Sequence, residues 1–292
     1  MTPRLLLFRS LWTNAFNLEA ALADCRLSLF DGVEGPLPQE ESSRQEFCRR
    51  IRDAGVPLVA EVVTGGGYVP ECRSPARHLE DFQRQAGIAA ESSPLFITVL
   101  AGSDAWPLGQ SVDFLGRALE VAQNLGIEAS FETHRSRPTF SPWSTRVLLE
   151  QLPKLRLTCD FSHWCCVCER LVLDGEPGLL ATVAARTNHI HARVGYAQGP
   201  QVPHPAAPEY SDALEAHECW WDAIWTAHAS AGRSFTSMTP EFGPDGYLQV
   251  HPFTGEPAAE LDEINRWMAA RQRERFAVQF GPQASTPAVV GN

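Results

Sequence analysis

No stretch of 18 or more uninterrupted apolar residues occurs in the 292-residue sequence, so it lacks the material for a bilayer-spanning helix, and no membrane partner is expected. Positive charge is also scarce. With 24 Lys and Arg against 35 Asp and Glu, the net charge is −11, which works against the clustered cations that a phosphate backbone requires. No nucleic-acid partner is expected. The opening residues, MTPRLLLFRSLW, lack a small-residue cleavage pattern and lead straight into amphipathic sequence, so a signal peptide is not expected. Eight cysteines in a chain of this length do not make a small disulfide scaffold. Cys165 and Cys168 have CxxC spacing, but no second CxxC exists and the pair reads as packing thiols of a reduced, cytoplasmic protein. There is no internal repeat and no phosphate-cradling P-loop; the GGG at Gly65 to Gly67 is too little to indicate phosphate.

What is present is alternation. Apolar runs of strand length fall at Leu5 to Leu11, Arg26 to Val33, Pro57 to Val63, Leu95 to Ala101, Glu128 to Thr133, Leu155 to Phe161, His189 to Gly195 and Ser234 to Phe242. Amphipathic segments separate them, with apolar residues recurring at three and four as in Phe114, Ala118, Val121 and Leu125. Gly55, Gly126 and Gly232 stand where helices should stop. The first helix, Asn17 to Cys25, has the weakest signal because asparagine opens it. Continuous apolar strands indicate a parallel sheet covered by helices, and eight of them favour closure into one α/β barrel over residues 1–278, with a turn-rich tail at 279–292.

Four segments end apolar runs with chemistry-bearing side chains: Glu132 in SFETH, Asp160 and His163 in CDFSH, His191 in HIHAR, and Glu241 in TPEFG. Active sites of such barrels form at the carboxyl ends of the strands. Three carboxylates and one imidazole there could converge on one divalent ion of the Mn²⁺, Mg²⁺, Co²⁺ or Zn²⁺ type. Strand alternation gives His189, His191 and Arg193 one parity, as it does Glu132 with His134 and Thr239 with Glu241. Asp160 and His163 differ in parity, so His163 should reach the site from the loop leaving the sixth strand. Trp220, Trp221 and Trp225 read as core or interface aromatics, whereas Trp12, Trp106 and Phe161 lie near strand ends and could wall an apolar pocket.

In these residues the chain resembles the xylose isomerase-like TIM barrels, which include sugar isomerases and epimerases, inosose dehydratase and endonuclease IV. DFSH matches the D-x-x-H element, LFDGVEG resembles G-x-D-x-[IV]-E with Glu34, and ITVLAGSDAW matches a glycine-bearing fourth strand end. The resemblance implies a (β/α)8 TIM barrel holding one divalent metal on Glu132, Asp160, His191 and Glu241. It implies that Glu132 and Glu241 exchange a proton beside a carbonyl and that His163 faces the substrate. Arg193, His189, Glu34 and Trp106 are the remaining candidates for substrate contact.

The implied activity is isomerisation or epimerisation of a sugar or sugar derivative through an enediolate, in a protein whose relatives often assemble as dimers or tetramers. A keto-sugar or inosose dehydratase shares the same first step. A DNA-repair endonuclease would need further histidines where GVEGP and VVTGGGYV stand, and a non-catalytic binding barrel would not need the ligand series. The loop beginning HARVGYAQGPQV is long enough to cap the site and set substrate choice.

Overall fold

The computed structural model describes residues 2–71, 73–244 and 246–281. Eight parallel strands close into a barrel in chain order: β1 (Arg4–Ser10), β2 (Gly32–Pro36), β3 (Leu58–Val63), β4 (Phe96–Leu100), β5 (Ala129–Glu132), β6 (Leu157–Cys159), β7 (Thr187–Ala192) and β8 (Phe235–Pro240). Nine α-helices lie among the described residues: α1 (Leu18–Arg26), α2 (Glu41–Ala54), α3 (Pro75–Glu91), α4 (Leu108–Asn124), α5 (Pro142–Gln151), α6 (Phe161–Cys168), α7 (Pro177–Ala184), α8 (Ser211–Ser230) and α9 (Leu261–Phe280). None is long and apolar enough to cross a membrane. The last takes in Gln279 and Phe280 of the expected tail, and the remainder from 282 lies outside the described residues.

Glycine punctuation is used as expected. Gly55, Gly126 and Gly232 all have positive φ, at 66°, 68° and 69°, just past α2, α4 and α8. Among the boundaries that differ from the sequence reading, two lie at the first helix. Asn17 caps α1, its side chain accepting the Ala20 N–H, so the residue that weakened the helical signal starts the helix. Arg26 belongs to the end of α1, and a turn through Ser28 with φ of 60° delays β2 to Gly32.

The barrel interior is built in layers. At the bottom, Leu6, Phe8, Val59 and Phe96 form a small apolar plug, separate from the large core between sheet and helices. Gly32 faces it, where a Cβ would stand 2.7 Å from the Phe8 ring. Above lies a polar layer containing Glu34, Thr98, Ser130, Thr158, His189, Ser237 and Thr239, all buried. Glu61, Glu132, Asp160, His191, Arg193 and Glu241 occupy the top. Trp220, Trp221 and Trp225 pack in the outer core, where Trp225 meets Phe276 of α9 edge to face.

Candidate metal centre and active site

His191 is the hub of the upper layer. Its Nε2 lies 3.0 Å from Glu34 Oε1, and its Nδ1 points the other way, 3.0 Å from Glu241 Oε2 and 3.6 Å from Glu132 Oε1. Beneath it, His189 contacts Ser237 through Nδ1 and Glu34 and Thr239 through Nε2, at 2.7, 3.1 and 2.9 Å. Glu34 is thus saturated, Oε1 by His191 above it and Oε2 by its own layer, including a hydrogen bond from Thr239. This arrangement is a carboxylate holding the His191 ring from behind through Nε2, with Nδ1 facing Glu241 and Glu132.

The donor set fits a divalent ion. Glu132, His191 and Glu241 each offer an atom within 4.8 Å of the other two, and all three side chains are buried. His191 Nδ1 and Glu241 Oε2 make no hydrogen bond although they are close neighbours. Two ligand atoms each about 2.1 Å from one ion stand roughly 3.0 Å apart at a right angle and roughly 3.4 Å apart at a tetrahedral angle. Both observed spacings suit that geometry.

Asp160 stands outside this trio. Strand β6 stops at Cys159, and Asp160 becomes the N-cap of α6, its Oδ1 accepting from Ser162 N at 2.9 Å and Ser162 Oγ at 2.5 Å. Its Oδ2 accepts from Arg193 Nε at 3.1 Å and Nη2 at 2.6 Å. His163 therefore sits in the first turn of α6 rather than on a loop. Its ring meets that of His134 at 4.0 Å between centroids, tilted by 55°, and its Nε2 is 3.3 Å from Arg193 Nη2. The loop after β7 presses on this helix start, since a Cβ at Gly195 would meet the Ser162 backbone at 2.6 Å.

The cavity above the trio, about 390 Å³ with the solvent at its mouth included, is lined by Trp12, Glu61, Tyr68, Leu100, Glu132, His134, Arg193, Glu241, Gly243 and Tyr247. His163, Glu34, His189 and Trp106 are not on this wall. Trp106 donates its indole N–H to Arg73 O at 2.6 Å and packs on His78 and Phe114. Glu61, Tyr68 and Tyr247 line the cavity without having been singled out in the sequence. The interruption of VAEVV by a carboxylate, at the same parity as Val59 and Val63, was the available signal for Glu61. Tyr68 and Tyr247 come from loops and have no comparable signal.

Electrostatics divides the carboxyl groups. Burial pushes Glu132 up to about 7, with His191 opposing the rise. Burial, followed by repulsion from Glu132, Glu34 and Glu241, holds Glu61 well above the carboxylate range, and its Oε2 makes no hydrogen bond. Burial would also raise Glu34, but His191 and His189 outweigh it and keep Glu34 well below the ordinary value. Burial and nearby cations lower both His134 and His163, leaving neutral imidazoles beside the cavity.

No family model and no curated protein matches the sequence. Solved structures do match it. D-psicose 3-epimerase with D-tagatose from Clostridium cellulolyticum H10 is similar over 95% of this chain and 100% of its own, at 12% identity and a TM-score of 0.60. A probable 3-DHS dehydratase from Bacillus anthracis is similar over 92% and 98%, at 14% identity and a TM-score of 0.57. A xylose isomerase-like TIM barrel protein from Mycobacterium smegmatis, crystallised in complex with magnesium, is similar over 91% and 95%, at 12% identity and a TM-score of 0.55. Across these low identities the shared property is architecture: the chain has the fold of the xylose isomerase-like TIM barrels.

Proposed function

We propose that this protein is a divalent-metal-dependent enzyme that shifts a proton next to the carbonyl of a sugar or sugar derivative, as an isomerase or epimerase. The observation that carries this reading is the convergence of Glu132, His191 and Glu241 beneath a cavity at the carboxyl end of the barrel. A bound divalent ion would supply the positive charge that acidifies a carbon beside a carbonyl. Glu132 and Glu241 both stand on the cavity wall, placed to take that proton from one side and return it from the other. Glu34 fixes the His191 ring. Trp12 and Leu100 exclude water, and His134 offers a neutral imidazole to a substrate hydroxyl.

D-psicose 3-epimerase and the probable 3-DHS dehydratase, whose structures are similar to this one, are both compatible with such a start. Glu61 favours dehydration as a second reading. A protonated carboxyl on the cavity wall could hand its proton to a departing β-oxygen, a step that isomerisation does not need.

The test is turnover of ketohexoses and keto-inositols in D₂O with Mn²⁺. Deuterium at the carbon beside the carbonyl with retained mass balance supports isomerisation, whereas loss of water supports the lyase. Replacement of either glutamate, as Glu132→Gln or Glu241→Gln, should cost at least about 10²-fold in turnover. Full activity in both variants would contradict the mechanism.

A further inference from the structure

We infer that Arg193, rather than a metal ion, is the partner of Asp160, so that the metal is held by three protein ligands, Glu132, His191 and Glu241. The inference rests on the metal reading above and changes the ligand set expected from the sequence.

Both Asp160 oxygens are committed, Oδ1 to the start of α6 and Oδ2 to two guanidinium nitrogens of Arg193. The Arg193 guanidinium is enclosed in turn. Its Nη2 also lies 3.2 Å from Glu241 Oε1 and 3.3 Å from His163 Nε2, and Tyr247 covers its face at 4.3 Å. Its side chain is only 3% exposed.

Drawing Asp160 into a metal shell would break two charge-assisted bonds. It would also leave a buried guanidinium beside a dication, without its main counter-charge. The cation that completes the Asp160 corner is therefore supplied by the chain itself. Three ligands also leave the ion with open positions, the coordination of a catalytic rather than a structural site, and two neighbouring substrate oxygens could occupy them. On this account Glu241 is shared: Oε1 faces Arg193, and Oε2 faces His191 Nδ1 and the ion.

Mn²⁺ binding to the chelator-treated full chain tests the assignment without reference to turnover. Asp160→Asn keeps a helix-capping side chain, and its Mn²⁺ affinity should stay within about threefold of wild type, whereas His191→Gln should lose about 100-fold or more. Arg193→Met frees Asp160 and should bind Mn²⁺ about tenfold more tightly, a gain that Arg193→Met/Asp160→Asn should abolish. A loss in Asp160→Asn as large as in His191→Gln overturns the inference. If Arg193→Met does not fold, as judged by circular dichroism, Asp160→Asn decides alone. Should wild type bind no Mn²⁺, the metal reading fails. The Arg193–Asp160 assignment then survives only if Arg193→Met gains Asp160-dependent binding, and no gain overturns both.

Discussion

At His191 burial and charge pull in opposite directions. Burial alone would favour a neutral ring, but Glu241, Glu34 and Glu132 surround it and hold its pKa well above the ordinary histidine value. In the metal-free protein this environment favours the protonated ring. Because the folded pKa is raised, the associated stability is fully present below the unfolded value of about 6.5 and is lost as pH rises through the folded value. A divalent ion competes for the same nitrogen, so Mn²⁺ affinity should increase with pH, approaching about tenfold per unit while one proton is displaced. Calorimetry in buffers of different ionisation enthalpy should show proton release on Mn²⁺ binding at pH 7. Binding with no release would refute the proposed competition. Glu34→Gln removes the carboxylate behind the ring and should weaken Mn²⁺ by about 10- to 100-fold. An unchanged constant would mean that Glu34 does not orient the ligand.

Elements show where the sequence was legible and where it was not. Strand parity grouped His189, His191 and Arg193 on one side, because alternation is a property of one strand and needs no partner; the first two meet Glu34 inside the barrel and Arg193, just past β7, lines the cavity. The Arg193–Asp160 pair was hidden because it joins β7's end to α6's start, and the spacing of neither segment encodes that contact. His163 was misplaced for a related reason: β6 is only three residues long, and Asp160 turns the chain into α6 two positions earlier than the apolar run suggested. Cys165 and Cys168 kept their sequence reading as free thiols, with burial raising the pKa of both.

Arg137 is another element-scale feature that no motif announced. From the loop after β5 it donates to Thr64 O at 3.1 Å, Gly102 O at 2.9 Å and Tyr68 O at 3.0 Å, tying the ends of β3 and β4 beneath the cavity wall. Arg137→Ala strands several buried carbonyls and should cost about 3 kcal/mol. Arg49→Ala, which loses only exposed pairs to Glu46 and Asp53, should leave the urea midpoint unchanged. Equal midpoint shifts would contradict this distinction.

Over the whole molecule, closure depends on α9. This helix buries Ile264, Met268 and Phe276, and its arginines reach across both neighbours, pairing Arg266 with Asp24 of α1 and Arg271 with Glu218 of α8. It also reaches the site. Asn265 accepts from Phe242 N and donates to Phe242 O, both at 2.9 Å, pinning the residue that follows Glu241. The last helix thereby bears on the position of Glu241, the proposed metal ligand one residue past β8. Asn265→Ala should destabilise the fold by about 2 kcal/mol, because two buried backbone groups lose their partner. It should also weaken Mn²⁺ by roughly tenfold through the loss of Glu241 positioning. Arg273→Ala, a change on the same helix that removes a partly exposed guanidinium from Asp31 while Arg4 and the Leu7 N–H still serve that carboxylate, should cost about 1 kcal/mol and leave Mn²⁺ affinity alone. Thermal melts and Mn²⁺ titrations of both variants separate the two effects. If Asn265→Ala lowers stability without touching affinity, α9 closes the barrel but does not position Glu241.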